Sequence, residues 1–325
     1  MTEPIYSIVI PIRDEEETLG ELHSRLSSLL ESLDGPAEVI FIDDGSKDSS
    51  YFQMLNIHGL DPRFKVVRLS RNFGHQIAIT AGIDLAAGDA VVIMDGDLQH
   101  PPEVIPEMTR RWRDGYEVVY GVMHRRTESW FKRASARAFY GLLSRLTDVQ
   151  VPPAAGDFRL VDRKALDAFR AMRERNRYIR GMFSWIGYRQ IGVPYESPPR
   201  SAGRSKYTLG RMMKLALDGI VGFSNLPLHL VLNVGFAVSA ASFLLGVAAI
   251  AVKIAGAFAV PGWASIVVII SFVGGVQLVV LGVMGEYVAR IYDEVRFRPL
   301  YLFSDLHGFE EAQVAALERR NAALR

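Results

Sequence analysis

The chain has 325 residues, 49% of them hydrophobic, with 37 Lys and Arg against 36 Asp and Glu and no cysteine. A formal charge of +1 gives no basic footprint for nucleic acid, and the lack of cysteine excludes disulfides, thiolate zinc sites and cysteine nucleophiles. The length allows one large domain or two smaller ones, and the apolar content suits a chain that lies partly in lipid.

The opening Met1-Thr-Glu-Pro-Ile-Tyr6 has neither a basic n-region nor an apolar h-region, so no signal peptide is read there and the first domain is expected in the cytoplasm. Ser7-Ile-Val-Ile-Pro-Ile12 predicts a strand, followed by acids from Asp14 to Glu17 and an amphipathic helix to about Leu33. A second strand, Glu38-Val-Ile-Phe-Ile42, ends in Asp43-Asp44-Gly45-Ser46. A third, Lys65 to Leu69, is followed by Arg71-Asn-Phe-Gly-His-Gln76 and a helix through Ala86. Ala90-Val-Val-Ile-Met94 predicts a buried fourth strand, and Glu117-Val-Val-Tyr-Gly121 a fifth. Strands alternating with helices predict an α/β domain with a mostly parallel, Rossmann-like sheet covered by helices.

The fourth strand delivers Asp95-Gly-Asp-Leu-Gln-His-Pro-Pro102 at the end where open α/β sheets bind ligands. Asp95, Asp97 and the amide oxygen of Gln99 could hold a hard divalent cation, Mg²⁺ or Mn²⁺, against a diphosphate. The plainer reading is a polar turn whose acids cap the next helix. No G-x-G-x-x-G follows the first strand and no G-x-x-x-x-G-K-[ST] occurs, so neither dinucleotide nor P-loop binding is indicated.

Further on, Trp130, Phe131, Ala134, Ala138, Leu142 and Leu146 predict a helix with Lys132, Arg133 and Arg137 interleaved, which a core helix with a solvated basic face also explains. Leu209, Met213, Ala216, Leu217 and Ile220 form a stripe opposite Arg211, Lys214 and Asp218, the pattern of a helix lying on a membrane surface. Leu230 to Val252 carries no charge, and a second uncharged stretch has a usable span of about Ala264 to Gly285. At about 1.5 Å per residue each covers roughly 33 Å, enough for a hydrocarbon core of about 30 Å. Arg204, Lys206, Arg211 and Lys214 before the first span, and Arg290, Arg296 and Arg298 after the second, predict both ends in the cytoplasm with a short turn outside. The expected organisation is a catalytic domain over 1–206, an interfacial helix region over 207–228, a two-helix anchor over 229–289 and a cytoplasmic tail over 290–325. Gly274-Gly275, Gly282 and Gly285 could pack spans of a homo-oligomer together.

Four clusters in this order, Ile10-Pro11 with Glu15-Glu16, Asp43-Asp44-Gly-Ser46, Arg71-Asn72-x-Gly74 and Asp95-x-Asp97-x-Gln99-x-Pro101-Pro102, resemble nucleotide-sugar transferases of glycosyltransferase family 2 with the GT-A fold. Gly156-Asp157-Phe-Arg-Leu-Val-Asp-Arg163 and Arg200-Ser-Ala-Gly-Arg-Ser-Lys-Tyr207, with the two spans, resemble its polyprenyl-phosphate branch, which includes dolichol-phosphate mannose synthase and bacterial undecaprenyl-phosphate glucosyltransferases. The resemblance implies that Pro11, Arg13, Glu15 and Asp43 line the nucleotide pocket, where a carboxylate can accept from a base N–H. It implies that Asp95, Asp97 and Gln99 hold the cation and diphosphate, and that Asp157 lies beside sugar and acceptor as a catalytic base. Because a lipid phosphate is largely ionised near neutral pH, positioning is an open alternative for Asp157, as is a pairing with Arg159 or Arg163.

Arg200, Ser205 and Lys206, with Arg126 and Arg133 as a second patch, would receive the lipid phosphate, although an anchor of the positive-inside kind needs no such spacing. Asp44 could equally close an Asx turn with Gly45-Ser46. Arg13-Asp14 departs from the aromatic residue and Asn usual in the family. The implied reaction is inverting transfer of one sugar, with UDP-glucose as the preferred donor, to a polyprenyl phosphate at the cytoplasmic membrane face. Another lipid or polysaccharide acceptor and a catalytically idle membrane scaffold are the alternatives. The Gln-x-x-Arg-Trp motif of processive synthases is missing, and the two spans hold no internal ionisable residue for a transport path.

Overall fold

A computed structural model of the chain describes residues 3–124, 155–196, 226–254, 262–311 and 314–315. It contains an eight-stranded sheet in the order β7-β5-β6-β4-β1-β2-β3-β8. The strands are β1 (Tyr6–Ile12), β2 (Ala37–Asp43), β3 (Phe64–Leu69), β4 (Ala90–Ile93), β5 (Val118–His124), β6 (Ala155–Asp162), β7 (Gln190–Glu196) and β8 (Phe303–His307). The run β4-β1-β2-β3 is parallel throughout, whereas β6 and β8 enter antiparallel to their neighbours. The architecture is therefore a mixed α/β sheet of the Rossmann-like GT-A kind, with its parallel centre where the alternation of strand and helix placed it.

The helices are α1 (Leu19–Ser32), α2 (Ser50–Leu60), α3 (His75–Leu85), α4 (Ile105–Arg113, entered through a 3-10 turn at Pro102–Val104), α5 (Arg163–Ala171), α6 (Ile179–Trp185), α7 (Leu226–Ile254) and α8 (Trp263–Val295). β1 is buried along its whole length, and the two-residue period of a strand divides its side chains between two cores. Tyr6, Ile8, Ile10 and Ile12 join Leu19, Leu22 and Leu26 of α1 on one face. Val9 joins Ile40, Ile42, Ala78 and Ile79 on the other. The leucines of α1 recur at helical spacing, which presents one apolar stripe to the sheet. These two cores lock the register Val9–Ile93 and Ile12–Asp43, so the loops after β1, β2 and β4 emerge side by side.

β8 has no counterpart among the elements expected from sequence. After α8 the chain returns to the sheet and pairs Val66 with His307 and Val67 with Leu306. The return is clamped: Tyr301 Oη donates to Asp84 Oδ2 at 2.6 Å, and Arg173 engages both oxygens of Asp84 at 2.7 and 3.1 Å. The Arg175 backbone N–H donates to Glu294 Oε1 at 2.7 Å, joining the end of α8 to the turn between α5 and α6. α7 and α8 are each long and apolar enough to cross a membrane, and Phe236, Phe243 and Leu244 on the first and Leu278, Val279 and Leu281 on the second are exposed.

Candidate active site

Residues from the ends of β1, β2, β4 and β6 and the start of α3 meet at the carboxyl edge of the parallel strands. Pro11 is buried near the end of β1. Arg13 is half-exposed, with Nε 3.8 Å from Asp14 Oδ2. Asp14 has a φ of 54°, in the left-handed region that Asp and Asn tolerate better than larger residues. Its N–H donates to Ser46 Oγ and its carboxylate accepts from Lys47 N–H, so Asp14 ties the first loop to the second. The Glu15 N–H donates to Ser50 Oγ at 2.9 Å, which joins the same loop to the start of α2.

The Asx turn that the sequence offered to Asp44 is made by its neighbour. It is Asp43, fully buried, that closes the Asx turn by accepting from Ser46 N–H at 2.8 Å. Its other oxygen lies 3.3 Å from Arg68 Nε and has no hydrogen bond. Asp44 accepts instead from Phe73 N–H at 2.7 Å and Gly74 N–H at 3.0 Å. Burial pushes its carboxyl up, against the pull of those two donors. Asp44 is thus the peg that holds Arg71-Asn-Phe-Gly74 over the site. Gly45, at φ +71°, allows the approach, because a Cβ there would stand 2.8 Å from the Asn72 nitrogen. Gly45→Ala is expected to cost about 1–3 kcal/mol and to weaken nucleotide binding; a thermal melt and a nucleotide titration check both.

The Asp95 loop is equally constrained. A Cβ on Gly96 would lie 2.4 Å from Ile12 Cδ1, so any larger residue there would have to displace the tip of that buried side chain at the end of β1. Gly96 O accepts from Thr18 Oγ1, Leu98 has a φ of 62°, and Asp97 Oδ1 accepts from Gln99 N–H at 3.1 Å. The Asp95 N–H donates to His100 Nδ1 at 2.9 Å, which requires that nitrogen to be unprotonated. The ring of His100 stacks on Phe158, with centroids 5.0 Å apart and planes at 11°. Asp95 Oδ1 is a buried oxygen with no hydrogen bond, 3.3 Å from His75 Nε2.

Asp157 is expected from sequence to pair with Arg159 or Arg163, if it pairs at all, and it pairs with neither. Arg180 of α6 grips it, Nε to Oδ1 at 2.9 Å and Nη2 to Oδ2 at 3.1 Å. Arg159 donates to Gly156 O, and Arg163 donates to Ala86 O and Gly88 O. Burial pushes Arg159 down to about 10. His75 Nε2 lies 3.7 Å from Asp157 Oδ2, so one imidazole bridges Asp95 and Asp157. Burial alone would lower the His75 pKa, but the two carboxylates outweigh it and push it up to about 9. Burial likewise opposes ionisation of Asp157, while Arg180 and His75 hold it well below the usual carboxylate range.

A divalent cation fits this donor set. Among the described residues no group of three or more His, Cys, Asp and Glu is arranged to hold a metal, so these residues form no closed cage. A hard cation bound by one or two carboxylates takes its other oxygens from substrate phosphates, and the unbonded Asp95 oxygen beside Asp97 suits that mode.

Three neighbours of the acids, His75, His100 and Arg180, are not among the site residues expected from sequence. A lone histidine in a loop gives no sign of its partners, yet His75 follows directly on the Arg71-Asn-Phe-Gly74 cluster, a usable signal. Nothing local marks Arg180 or the stacked His100. Arg126, Arg133, Arg200, Ser205 and Lys206, the helix expected around Trp130 to Leu146 and the interfacial helix expected over Tyr207 to Val221 lie outside the described residues.

Residues 7–170 match the family model described as Glycosyl transferase family 2. The chain is 45% identical over 311 residues to the glycosyltransferase YkcC of Bacillus subtilis (strain 168), covering 95% of this chain and 96% of that one. It is 37% identical over 302 residues to the bactoprenol glucosyl transferase of Shigella phage SfII, covering 93% and 98%. Among solved structures, glucosyl-3-phosphoglycerate synthase from Mycobacterium tuberculosis, in complex with Mn²⁺, UDP and glucosyl-3-phosphoglycerate, aligns with a TM-score of 0.44 at 17% identity, over 66% of this chain and 76% of that one.

Proposed function

The chain belongs to glycosyl transferase family 2 and is a glycosyltransferase, and from that membership we propose that it transfers a single sugar from a nucleotide donor to a polyprenyl phosphate at the cytoplasmic membrane face. One observation carries the reading. The likeness to the bactoprenol glucosyl transferase spans 93% of the chain, so it takes in α7 and α8 as well as the site. The resemblance to the bacterial branch implies UDP-glucose as donor, and the glucosyl group in the name of that relative supports the sugar. An anchor of two spans brings the site to a lipid acceptor. Because β8 pairs with β3 of the catalytic sheet, the chain re-enters the domain after the second span. That return supports a hairpin with both ends on the side of the site, in line with the basic residues that flank it.

In this reading Pro11, Arg13, Glu15 and Asp43 line the nucleotide pocket, and the Asp44-pegged loop closes over it. Asp95 and Asp97, with Gln99, hold the cation and the diphosphate. The cation, when bound, would neutralise charge building on the departing diphosphate. An oxygen of the lipid phosphate attacks the anomeric carbon, and the bond to the diphosphate breaks on the opposite face, inverting the centre. The lipid phosphate is to be held by Arg126, Arg133, Arg200, Ser205 and Lys206. Asp157 orients sugar and acceptor.

The test uses the full chain in detergent with undecaprenyl phosphate, Mg²⁺ or Mn²⁺, and radiolabelled UDP-glucose, UDP-GlcNAc and GDP-mannose in parallel. Label should pass into the organic phase from UDP-glucose, and Asp97→Ala should abolish it. Transfer from another donor would correct the sugar. Nucleotide binding without transfer to this lipid would point to a different acceptor, and no nucleotide binding at all would leave an idle scaffold.

A further inference from the structure

Resting on this reading, we propose that Arg180 is a positioning residue of the transfer site, and that it makes Asp157 a fixed anion instead of a proton acceptor. The guanidinium fork meets both oxygens of Asp157, the arrangement in which an arginine and a carboxylate hold each other in one orientation. Both groups are withdrawn from water, with side chains 25% and 8% exposed. To take up a proton Asp157 would have to give up this pair inside the protein.

α6, which carries Arg180, is itself fixed at both ends. Its first N–H, on Ile179, donates to Gln76 Oε1 at 2.9 Å, and Phe183 stacks on Phe169 of α5 with ring centroids 4.4 Å apart. Gln76 is the neighbour of His75, so the first two residues of α3 hold Asp157 by one side chain and the helix bearing Arg180 by the other. The path Arg180–Asp157–His75–Asp95 runs at 2.9, 3.7 and 3.3 Å from α6 to the loop after β4. It ties the acceptor side of the site to the diphosphate side.

The chemistry agrees with a fixed anion. An oxygen of an ionised phosphate forms the new bond to the anomeric carbon, and the electron pair of the broken bond leaves with the nucleoside diphosphate. The step is balanced with no proton removed. What it requires of the protein is geometry, and misplacement by about 1 Å can cost about 100-fold in rate.

The experiment compares the full chain with Arg180→Gln, Arg180→Lys, Asp157→Asn and the Arg180→Gln/Asp157→Asn double variant, in transfer and in thermal unfolding. Arg180→Gln should lower kcat about 100-fold with the donor KM within about threefold. The double variant should be no slower than the slower single. Arg180→Lys should recover part of the rate, since it restores the charge without the fork. An Arg180→Gln enzyme as fast as the parent, or faster, is what release of a clamped base would give, and would overturn the proposal. In unfolding, the double variant should lose less in Tm than the two singles together. Additive losses would overturn the clamp whatever reaction is catalysed. If the parent chain transfers no sugar, the functional reading falls while the unfolding cycle still decides the clamp.

Discussion

Asp95→Ala is expected to lower sugar transfer about 1,000-fold, the equivalent of several kcal/mol of lost charge stabilisation, while the fold survives. The carboxylate lies beyond the last residue of β4, and the bond that fixes the loop runs from the Asp95 backbone N–H to His100, so the side chain is not needed to keep the turn. What is lost is the buried, unbonded Oδ1 and the negative charge beside His75. The same variant should lose Mn²⁺-dependent binding of UDP, a readout independent of turnover. It should retain the melting temperature of the parent to within a few degrees. A variant still within tenfold of the parent would remove Asp95 from the diphosphate site and leave Asp97 as the acid to examine.

How far the sequence carries this site can be seen in single residues. The apolar runs of β1, β2 and β4 are buried on both faces, and such strands read plainly as near-continuous hydrophobic stretches. Their ends therefore located Asp43, Asp95 and Asp97. That Asp43 and not Asp44 closes the turn was not legible, because it depends on the strand alternation running past the apolar residues. That alternation carries Asp43 to the face of Phe41, within reach of its own turn, and leaves Asp44 to meet the loop after β3. Arg180 was beyond reach for a different reason. Its partner Asp157 is 23 residues away, and α6 is positioned by Gln76 and Phe169 and not by any local pattern. β8 was missed because its five residues, Phe303 to His307, lack the alternation of a half-buried strand. They are held by the edge of β3, and Tyr301 just before them is held by Asp84.

Asp84→Ala is expected to destabilise the protein by about 3–5 kcal/mol, the usual result of removing one partner from a buried ion pair. Asp84 accepts from Tyr301 and from both terminal nitrogens of Arg173, and its side chain is 1% exposed. Arg177 feels the same charge. Its Nε and Nη2 are buried without hydrogen bonds, and burial has already pushed it down to about 10. Without Asp84, Arg173 would lose its buried partner at the junction of α3, the α5–α6 turn and the C-terminal segment, and Arg177 would keep the charge of Glu174 but lose that of Asp84. Tyr301→Phe gives the scale for comparison. It removes one hydrogen bond and leaves the ion pair, so a loss of about 1 kcal/mol is expected. Thermal unfolding of the two variants in detergent measures the difference, and equal losses would show that the ion pair adds nothing beyond the tyrosine. The same residue connects stability with the site, since α3 ends beside Asp84 and begins at His75 and Gln76. Loosening its far end should therefore lower transfer even where the folded fraction is unchanged, which an assay well below the melting temperature would detect.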